Sequence, residues 1–538
     1  MMRATRPDPC TFPTSQRRGA GIILAILSVL FLLGMVVARP VQAQTTYTIL
    51  HSFAGGSTDG ATPNAGVIVD KDGNLYGTTI GGGGGAGTVF KVNAAGSESL
   101  VYRFPVSFYY SYGGYDCFLH PVIYAPKGSF PYSLLVMGVD GNLYGTTAYG
   151  GANGYECNPS GYGTSGDGAV FELNPSNSPP TETVVHSFTS QVFPYGSPGL
   201  AIDLARILYG TSMDGGASNV FKLDTSSNFS VLVSSAGGSV VIPDGQMIVD
   251  GSGNLYGTSV SGLTSGDGEV LELVNSSGTY TEKILYTFAG GIDGSGPSAP
   301  LIMDSAGNLY GVTSSGGGSA NCFGGCGTVF ELINSSGSYT KKTLYAFPGG
   351  SAGADPRGSL VVDAAGDLYG TAMSGGDTSL NNGYGAGAVF EVDPSGRETV
   401  LHAFGTVTND GNDGEGDGGL AMDAAGNLYG TTPGGGADGH GIGFKITTAQ
   451  SAAAAIISQV NALASQSGLK SGQITSLVNE LQQAVSMTNA GNAHGAIGIL
   501  EGFIAHVNGL LNSGALTSNQ ASGLTNAANG VVAQLQAM

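Results

Sequence analysis

The chain has 538 residues, with 93 Gly, 22 Pro, 41% hydrophobic residues, 10% charged residues and no Trp. Gly and Pro together stay below the roughly 25–30% of low-complexity disorder, the apolar content excludes a disordered polyelectrolyte, and glycines clustered in pairs and runs keep no collagen step. A formal net charge of −20 lacks the basic footprint that nucleic acid or an anionic membrane surface requires, so a large all-β domain with an appendage is the expected class.

Residues 1–43 hold five arginines and one acid, which leaves 13 basic against 37 acidic residues in the remainder. Behind Arg17-Arg18 runs a 20-residue apolar stretch, Gly19 to Ala38, followed by Arg39-Pro40 and the small-x-small site Val41-Gln42-Ala43. This is the anatomy of a secretory signal peptide removed before Gln44, with an uncleaved signal anchor as the alternative. Arginines on the near side of the run place the rest of the chain outside the cytoplasm under either reading: secreted, at the cell surface or periplasmic. A membrane contact is expected only through this segment, if it is retained.

Residues 44–447 are organised by a repeat. Leu-Tyr-Gly occurs seven times, at 75–77, 143–145, 208–210, 255–257, 309–311, 368–370 and 428–430. An apolar run ending in Asp precedes most copies, as in Val67-Ile-Val-Asp70, and a Gly-rich loop leads to Val-Phe, as at Val89-Phe90 and Val389-Phe390. An alternating run ending in Phe closes the unit, as in Thr399-Val-Leu-His-Ala-Phe404. Each unit therefore holds four short β-runs, a to d, with tight a–b and c–d turns and long b–c and d–a loops of variable length. Repeated antiparallel units of this kind read as a seven-bladed β-propeller with all its length variation on one face. The first run, Thr48 to Phe53, is a d strand without a unit, and the last unit, ending Gly443-Phe-Lys-Ile446, lacks its d strand. The N-terminal strand is therefore expected to complete the last blade and leave no open sheet edge; an open solenoid is the alternative.

The pattern Asp-x-x-Gly-Asn-Leu-Tyr-Gly-Thr-Thr, then Gly-Thr-Val-Phe-Lys and Val-Leu-His-Ser-Phe, resembles the Gloeobacter–Verrucomicrobium (GloVer) tandem repeat of exported bacterial proteins, over about residues 45–447. That resemblance implies an exported, propeller-like architecture and carries over no catalytic residue. Residues 448–538 turn rich in Ala, Asn, Gln, Ser and Leu with helical spacing, and four helices are expected to form a small C-terminal α-helical bundle. Ile497, Leu500, Ile504, Val507 and Leu511 should share its buried face, and Thr517 with Gln520 should form a capping box. The stretch Leu500-Glu-Gly-Phe-Ile-Ala-His-Val507 with Gly514-Ala-Leu-Thr517 resembles a FIMAH-type domain of secreted bacterial proteins.

Candidate chemistry is sparse. Cys10 falls in the leader, so Cys117, Cys157, Cys322 and Cys326 form an even set in an oxidising compartment. The expected pairs are Cys117–Cys157, whose loops emerge on one face, and Cys322–Cys326, a loop clip with no nearby His to make it a metal site. His51, His186 and His402 share one d-strand position with Tyr102, Tyr286, Tyr345 and Val233, an interchange that points to packing. Asp70, Asp250, Asp304, Asp363 and Asp423, which end a runs, should cap their own turns. Gly81 to Gly85 lacks the Lys-Ser/Thr of a phosphate-binding loop. Asp410, Asp413, Glu415 and Asp417 are the candidates for calcium, the one cofactor suggested, against a solvated Asp-Gly turn. Tyr109, Tyr110, Tyr112, Tyr115 and Tyr195 in d–a loops are candidate stacking residues, with Arg357 the basic residue expected near the axis.

The expected function is an exported, non-enzymatic binding or surface-interaction protein that takes a glycan, peptide or protein on its long-loop face. A polysaccharide-acting lyase or hydrolase and a structural envelope protein are the alternatives, since fold does not choose among them. An intact-mass measurement on exported protein should give a mature chain starting near Gln44; retention of residues 1–43 would instead establish the anchor.

Overall fold

The computed structural model describes residues 45–93, 96–105, 107–109, 122–124, 128–151, 156–157, 163–164, 168–188, 199–214, 217–236, 238, 241–261, 266–412, 418–463, 469–489 and 492–536. Seven antiparallel sheets of four or five strands follow one another along the chain. Strands a to d are Ile68–Val69, Leu75–Thr79, Thr88–Val92 and Glu98–Arg103 in blade 1, and strands b to d are Leu143–Tyr149, Ala169–Asn174 and Thr181–Ser187 in blade 2. The b strands of blades 3 to 6 are Leu208–Asp214, Leu255–Ser259, Leu309–Thr313 and Leu368–Ser374, and their d strands are Phe229–Ser234, Thr279–Thr287, Ser338–Ala346 and Glu398–Ala403. Blade 7 takes strands a to c from Ala421–Met422, Leu428–Thr432 and Ile442–Thr447, and strand d from the N-terminal Thr46–Ser52. That strand pairs with strand c from Thr46↔Thr447 to Ser52↔Ile442, so the ring is closed in the expected offset register.

Turn chemistry fixes the a–b hairpins. Asp70 Oδ1 accepts the backbone N–H of Asp72 and Asn74 at 2.9 and 2.8 Å, while Asn74 Nδ2 donates to its Oδ2 at 2.8 Å. The glycine of this turn is left-handed, φ 76° at Gly73. In the decayed third unit Arg206 takes that position at φ 65°, and its guanidinium reaches Asp140 of blade 2 at 3.2 Å. The repeat tyrosines anchor to the same turns: Tyr209, Tyr256, Tyr310, Tyr369 and Tyr429 donate to the turn aspartates at 2.9–3.3 Å.

The repeat glycine lies directly across from the strand-c phenylalanine, as in Gly77↔Phe90 and Gly430↔Phe444. A Cβ on this glycine would lie 2.5–2.7 Å from the ring Cζ in six blades. The glycine therefore provides close approach for a side chain, and the strand bulge falls elsewhere, opposite Val89/Phe90 and its equivalents on the c–d pair. Blade 4 has Leu271 in place of Phe, and there Pro243 fills the space over Gly257. Each strand-c phenyl also receives the last Phe of the preceding blade's d run edge-on. The six pairs, Phe53–Phe90, Phe104–Phe171, Phe188–Phe221, Phe288–Phe330, Phe347–Phe390 and Phe404–Phe444, have centroids 5.0–5.6 Å apart. The seam without such a pair, between blades 3 and 4, is packed by Val241, Ile242, Met247 and Leu271. The hydrophobic core thus lies between blades. Around the axis, the threonine after Leu-Tyr-Gly donates to the next blade's backbone: Thr78 to Ser133 O, Thr258 to Ala299 O, Thr371 to Gly418 O and, across the closure, Thr431 to Ala65 O.

Four helices follow strand c of blade 7: α1 Ala449–Leu463, α2 Ser471–Asn489, α3 Ala493–Asn512 and α4 Ser518–Gln536. The capping box is reciprocal, with Thr517 N donating to Gln520 Oε1 at 2.9 Å and Gln520 N to Thr517 Oγ1 at 3.3 Å. On α3 the buried centre is Ala496, Leu500, Phe503, Val507 and Leu510, while Ile497, Ile504 and Leu511 flank it. The expected face is thus displaced along the helix circumference, because α3 packs against both α2 and α4 and buries a wider stripe than one partner would. Gln534 of α4 donates to Thr46 Oγ1 at 2.9 Å, touching the strand that closes the ring. Among the described residues, no helix is long and apolar enough to cross a membrane.

Two outcomes follow from these contacts. Gly430→Ala should cost about 1–3 kcal/mol in denaturant unfolding by overpacking against Phe444, and Phe444→Leu in the same chain should recover part of the loss. A neutral Gly430→Ala would show that the contact does not select the residue. In blade 6 the turn asparagine is replaced by Asp367, which is 5% exposed. Burial, then the charges of Asp363 and Asp393, push its carboxyl up to about 6. A raised carboxylate makes the native state bind more protons, so stability falls as pH rises from about 4 through about 6. Asp367→Asn, which restores the side-chain donor, should therefore raise the melting temperature little at pH 4 and most above pH 7; a gain independent of pH would refute this.

Candidate ligand-binding site

The residues entering strand a in all seven blades converge on the axis. Asn64, Ala65 and Gly66 of blade 1 meet Leu134, Gly199, Gly245, Gln246, Ser298, Pro300, Arg357, Ser359 and Gly419 around a cavity of about 340 Å³. Val260, just past strand b of blade 4, and Asp244 complete the wall, which places the cavity at the long-loop end of the ring. Its size sits near the lower end of the roughly 300–1,000 Å³ range of ligand pockets.

The polar groups of this wall are held by their surroundings. Asp244 Oδ2 accepts the Val260 N–H at 2.6 Å and the Ser259 hydroxyl at 3.0 Å. Gln246 Nε2 donates to Leu200 O at 2.7 Å. Arg357 grips Asp355 with two bonds, Nε to Oδ1 at 2.8 Å and Nη2 to Oδ2 at 3.0 Å. Asp244 is the one carboxylate among the described wall residues. The cavity therefore offers fixed hydrogen-bond donors and acceptors with one cation and one anion, a set suited to orienting a polar ligand.

A second ring of contacts lies in the seams. In six seams the residue four positions before the shared His/Tyr/Val position of one d run meets the His or Tyr at that position in the preceding blade; blade 3 has Val233 there. Tyr102 donates to Glu182 at 3.2 Å and Tyr345 to Glu398 at 3.4 Å. His186 stacks on Phe229 with centroids 4.3 Å apart, and His402 on Tyr47 at 3.6 Å. Packing accordingly governs His186 and His402. In three seams an Asp-Gly aspartate clasps the same group. Asp410 accepts the backbone N–H of Gly405 and Gly411 at 3.0 and 2.8 Å and lies 3.1 Å from His402 Nε2. Asp293 accepts Tyr286 Oη and Lys341 Nζ at 2.9 Å, and Asp59 lies 3.1 Å from His51 Nε2. These aspartates are clasps between strand d and its following loop, and none is a solvated turn. Lining up the seven d runs and asking what lies four residues before the shared His/Tyr position would have revealed the seam from sequence. Burial, then the charge of Asp59, push the Glu98 carboxyl up to about 7.

Of the residues singled out in the sequence, Arg357 stands in the axial wall and Asp410 is engaged in its clasp. Tyr110, Tyr112, Tyr115, Tyr195, Cys117, Asp413, Glu415 and Asp417 lie outside the described residues, as do the side chains of Tyr109 and Cys157, whose backbones sit in short strands. Cys322 and Cys326 are joined as a disulfide, and Phe323 at its tip is fully exposed. Asp244 was legible from its Asp-Gly only as a long-loop oxygen, and Gln246 not at all, since no motif shared by the seven units marks the residues before strand a.

The sequence profile of the Gloeobacter/Verrucomicrobia repeat matches residues 34–221 and 208–415, and that of the FIMAH domain matches residues 453–533. No curated protein matches the chain. Similar solved structures include a gluconolactonase from Xanthomonas campestris, with 14% identity, TM-score 0.31, and 52% of this chain and 78% of that one covered. A protein from Lactobacillus plantarum has 15% identity, TM-score 0.38 and coverages of 67% and 88%. An ulvan lyase, a polysaccharide lyase, has 9% identity, TM-score 0.37 and coverages of 75% and 96%. Likenesses at these scores carry no argument about chemistry.

Proposed function

The chain belongs to the Gloeobacter/Verrucomicrobia repeat family, and from that premise we propose that it is an exported, non-enzymatic binding protein that takes an extracellular glycan into its axial cavity. The observation that carries this reading is the convergence of seven strand-a entrances on one recess at the long-loop end, whose mainly apolar wall carries a few fixed polar side chains. Asn64, Gln246, Ser298 and Ser359 supply neutral hydrogen-bonding groups of the kind sugar hydroxyls match, with Arg357 and Asp244 as charged ends. Exposed Phe323 on its disulfide-closed loop adds an aromatic surface on the same face. Asp244, the carboxylate of the described wall, is itself held by Ser259 and Val260. The repeat family and the disulfide are compatible with export, and the reading includes removal of residues 1–43.

Screening the mature protein on a glycan array, followed by calorimetry, tests the proposal. Arg357→Ala should weaken a bound oligosaccharide roughly tenfold or more, the scale of one lost hydrogen bond to a charged group, and Gln246→Ala should weaken it about two- to tenfold, the scale of a neutral one. Lys71→Ala, in a turn of the opposite face, should leave affinity unchanged. Absence of oligosaccharide binding, or binding indifferent to both axial variants, would overturn the reading. Release of shortened sugars during the titration would replace it with the enzymatic one.

A further inference from the structure

The seam between blade 7 and blade 1 differs from the other described seams. Here the clasp pair is His51 and Asp59, and the first residue of the neighbouring d strand is Glu98. One nitrogen or oxygen of each of the three lies within 4.8 Å of the others, the one group of His, Cys, Asp and Glu this close among the described residues. We propose that His51, Asp59 and Glu98 bind a first-row divalent cation of the zinc type where the ring closes.

The donor set is pre-arranged. Asp59 is held by the Ala54 N–H on Oδ2 at 2.7 Å and the Gly60 N–H on Oδ1 at 2.6 Å, which fixes the carboxylate and leaves each oxygen a further lone pair. The His51 ring stands edge-on to Phe53, centroids 4.7 Å apart, and presents Nε2 to Asp59 at 3.1 Å. Glu98 Oε1, like Glu398 Oε1 of a seam without an imidazole, is shielded from solvent and accepts no hydrogen bond, and here the carboxylate lies within 4.8 Å of donor atoms of His51 and Asp59. A cation is a partner that offsets the cost of such burial. Two carboxylates balance its charge, and one imidazole nitrogen with two oxygens suits zinc, cobalt or manganese better than calcium, which prefers an all-oxygen shell. The His51 and Asp59 side chains are 20% and 12% exposed, so an ion can enter and keep water in its remaining positions.

The other seams serve as internal controls. At His402–Asp410 the third position is Tyr47, whose ring stacks on the imidazole. At His186 it is Phe229, and at Tyr286–Asp293 it is Lys341, itself a cation. Tyr102–Glu182 and Tyr345–Glu398 have no imidazole. Bound metal would tie the N-terminal strand to blade 1 and act as a staple on ring closure.

The test uses the mature full-length protein stripped with chelator. Calorimetry with Zn²⁺ should give one equivalent, Co²⁺ should develop the visible absorption of a nitrogen-containing site, and the melting temperature should rise with either ion. Glu98→Gln, which keeps the side-chain shape, should weaken binding at least tenfold and remove the thermal shift, and His51→Ala should abolish the cobalt spectrum. His402→Ala should leave both signals intact. The proposal is overturned if neither ion binds saturably, if Glu98→Gln binds as the wild type does, or if His402→Ala removes the signals as fully as His51→Ala.

Discussion

A phenyl ring resting on bare backbone organises this molecule. In six of seven blades the strand-c phenylalanine lies over the glycine of Leu-Tyr-Gly at a distance that excludes even one more carbon. The same ring receives the last phenylalanine of the preceding blade, so one residue connects two strands of its own sheet to the neighbouring sheet. A buried aromatic contributes both a large apolar area and a preferred edge-to-face geometry. Repeated around a ring, that geometry sets the angle between blades as well as the cohesion. The seam between blades 3 and 4 shows the constraint by its compensation: without the ring, Pro243 and a group of aliphatic side chains occupy the space.

Closure follows from the same unit. Because the N-terminal strand is strand d of blade 7, Phe53 supplies the ring contact that blade 1 needs, and Thr431 bonds to Ala65 as its counterparts bond to their own neighbours. The ring–ring and axial contacts of the last seam thereby repeat those of other seams. What varies from seam to seam is the partner four positions before the shared His/Tyr position of strand d: Glu, Tyr, Phe or Lys. Apolar contacts carry the fold, and this position is free to take on other chemistry, such as the acid–imidazole group beside Asp59.

The division of labour between the two faces is equally physical. Turns at the a–b end are short and nearly identical, and in blades 3 to 7 the capping Asp is tied to a tyrosine hydroxyl of its own blade. The other end carries the loops, the disulfide with Phe323, and the axial recess. Rigid turns on one face hold the strand entrances on the other at fixed distances from the axis. A recess framed by backbone-anchored groups such as Asp244 and Gln246 is therefore pre-shaped before any ligand arrives.

Read alone, the sequence determined the number of blades, the offset closing strand, the turn caps at Asp70 and its equivalents, the Cys322–Cys326 clip and the Thr517–Gln520 cap. The caps and the clip are encoded by residues a few positions apart, while the blade number and the closing strand follow from counting a unit that recurs along the whole chain. It also placed Arg357 near the axis from its position at a strand entrance. The tertiary structure alone decided which entrances converge, which d-strand residues face one another across a seam, and which stripe of α3 is buried. Tyr102 meets Glu182, 80 residues away, and Thr431 meets Ala65, 366 residues away. Such partners are brought together by the curvature of the ring and by loops whose lengths leave no fixed spacing in the sequence. The buried centre of α3 likewise depends on having neighbours on two sides, which its own apolar pattern does not record.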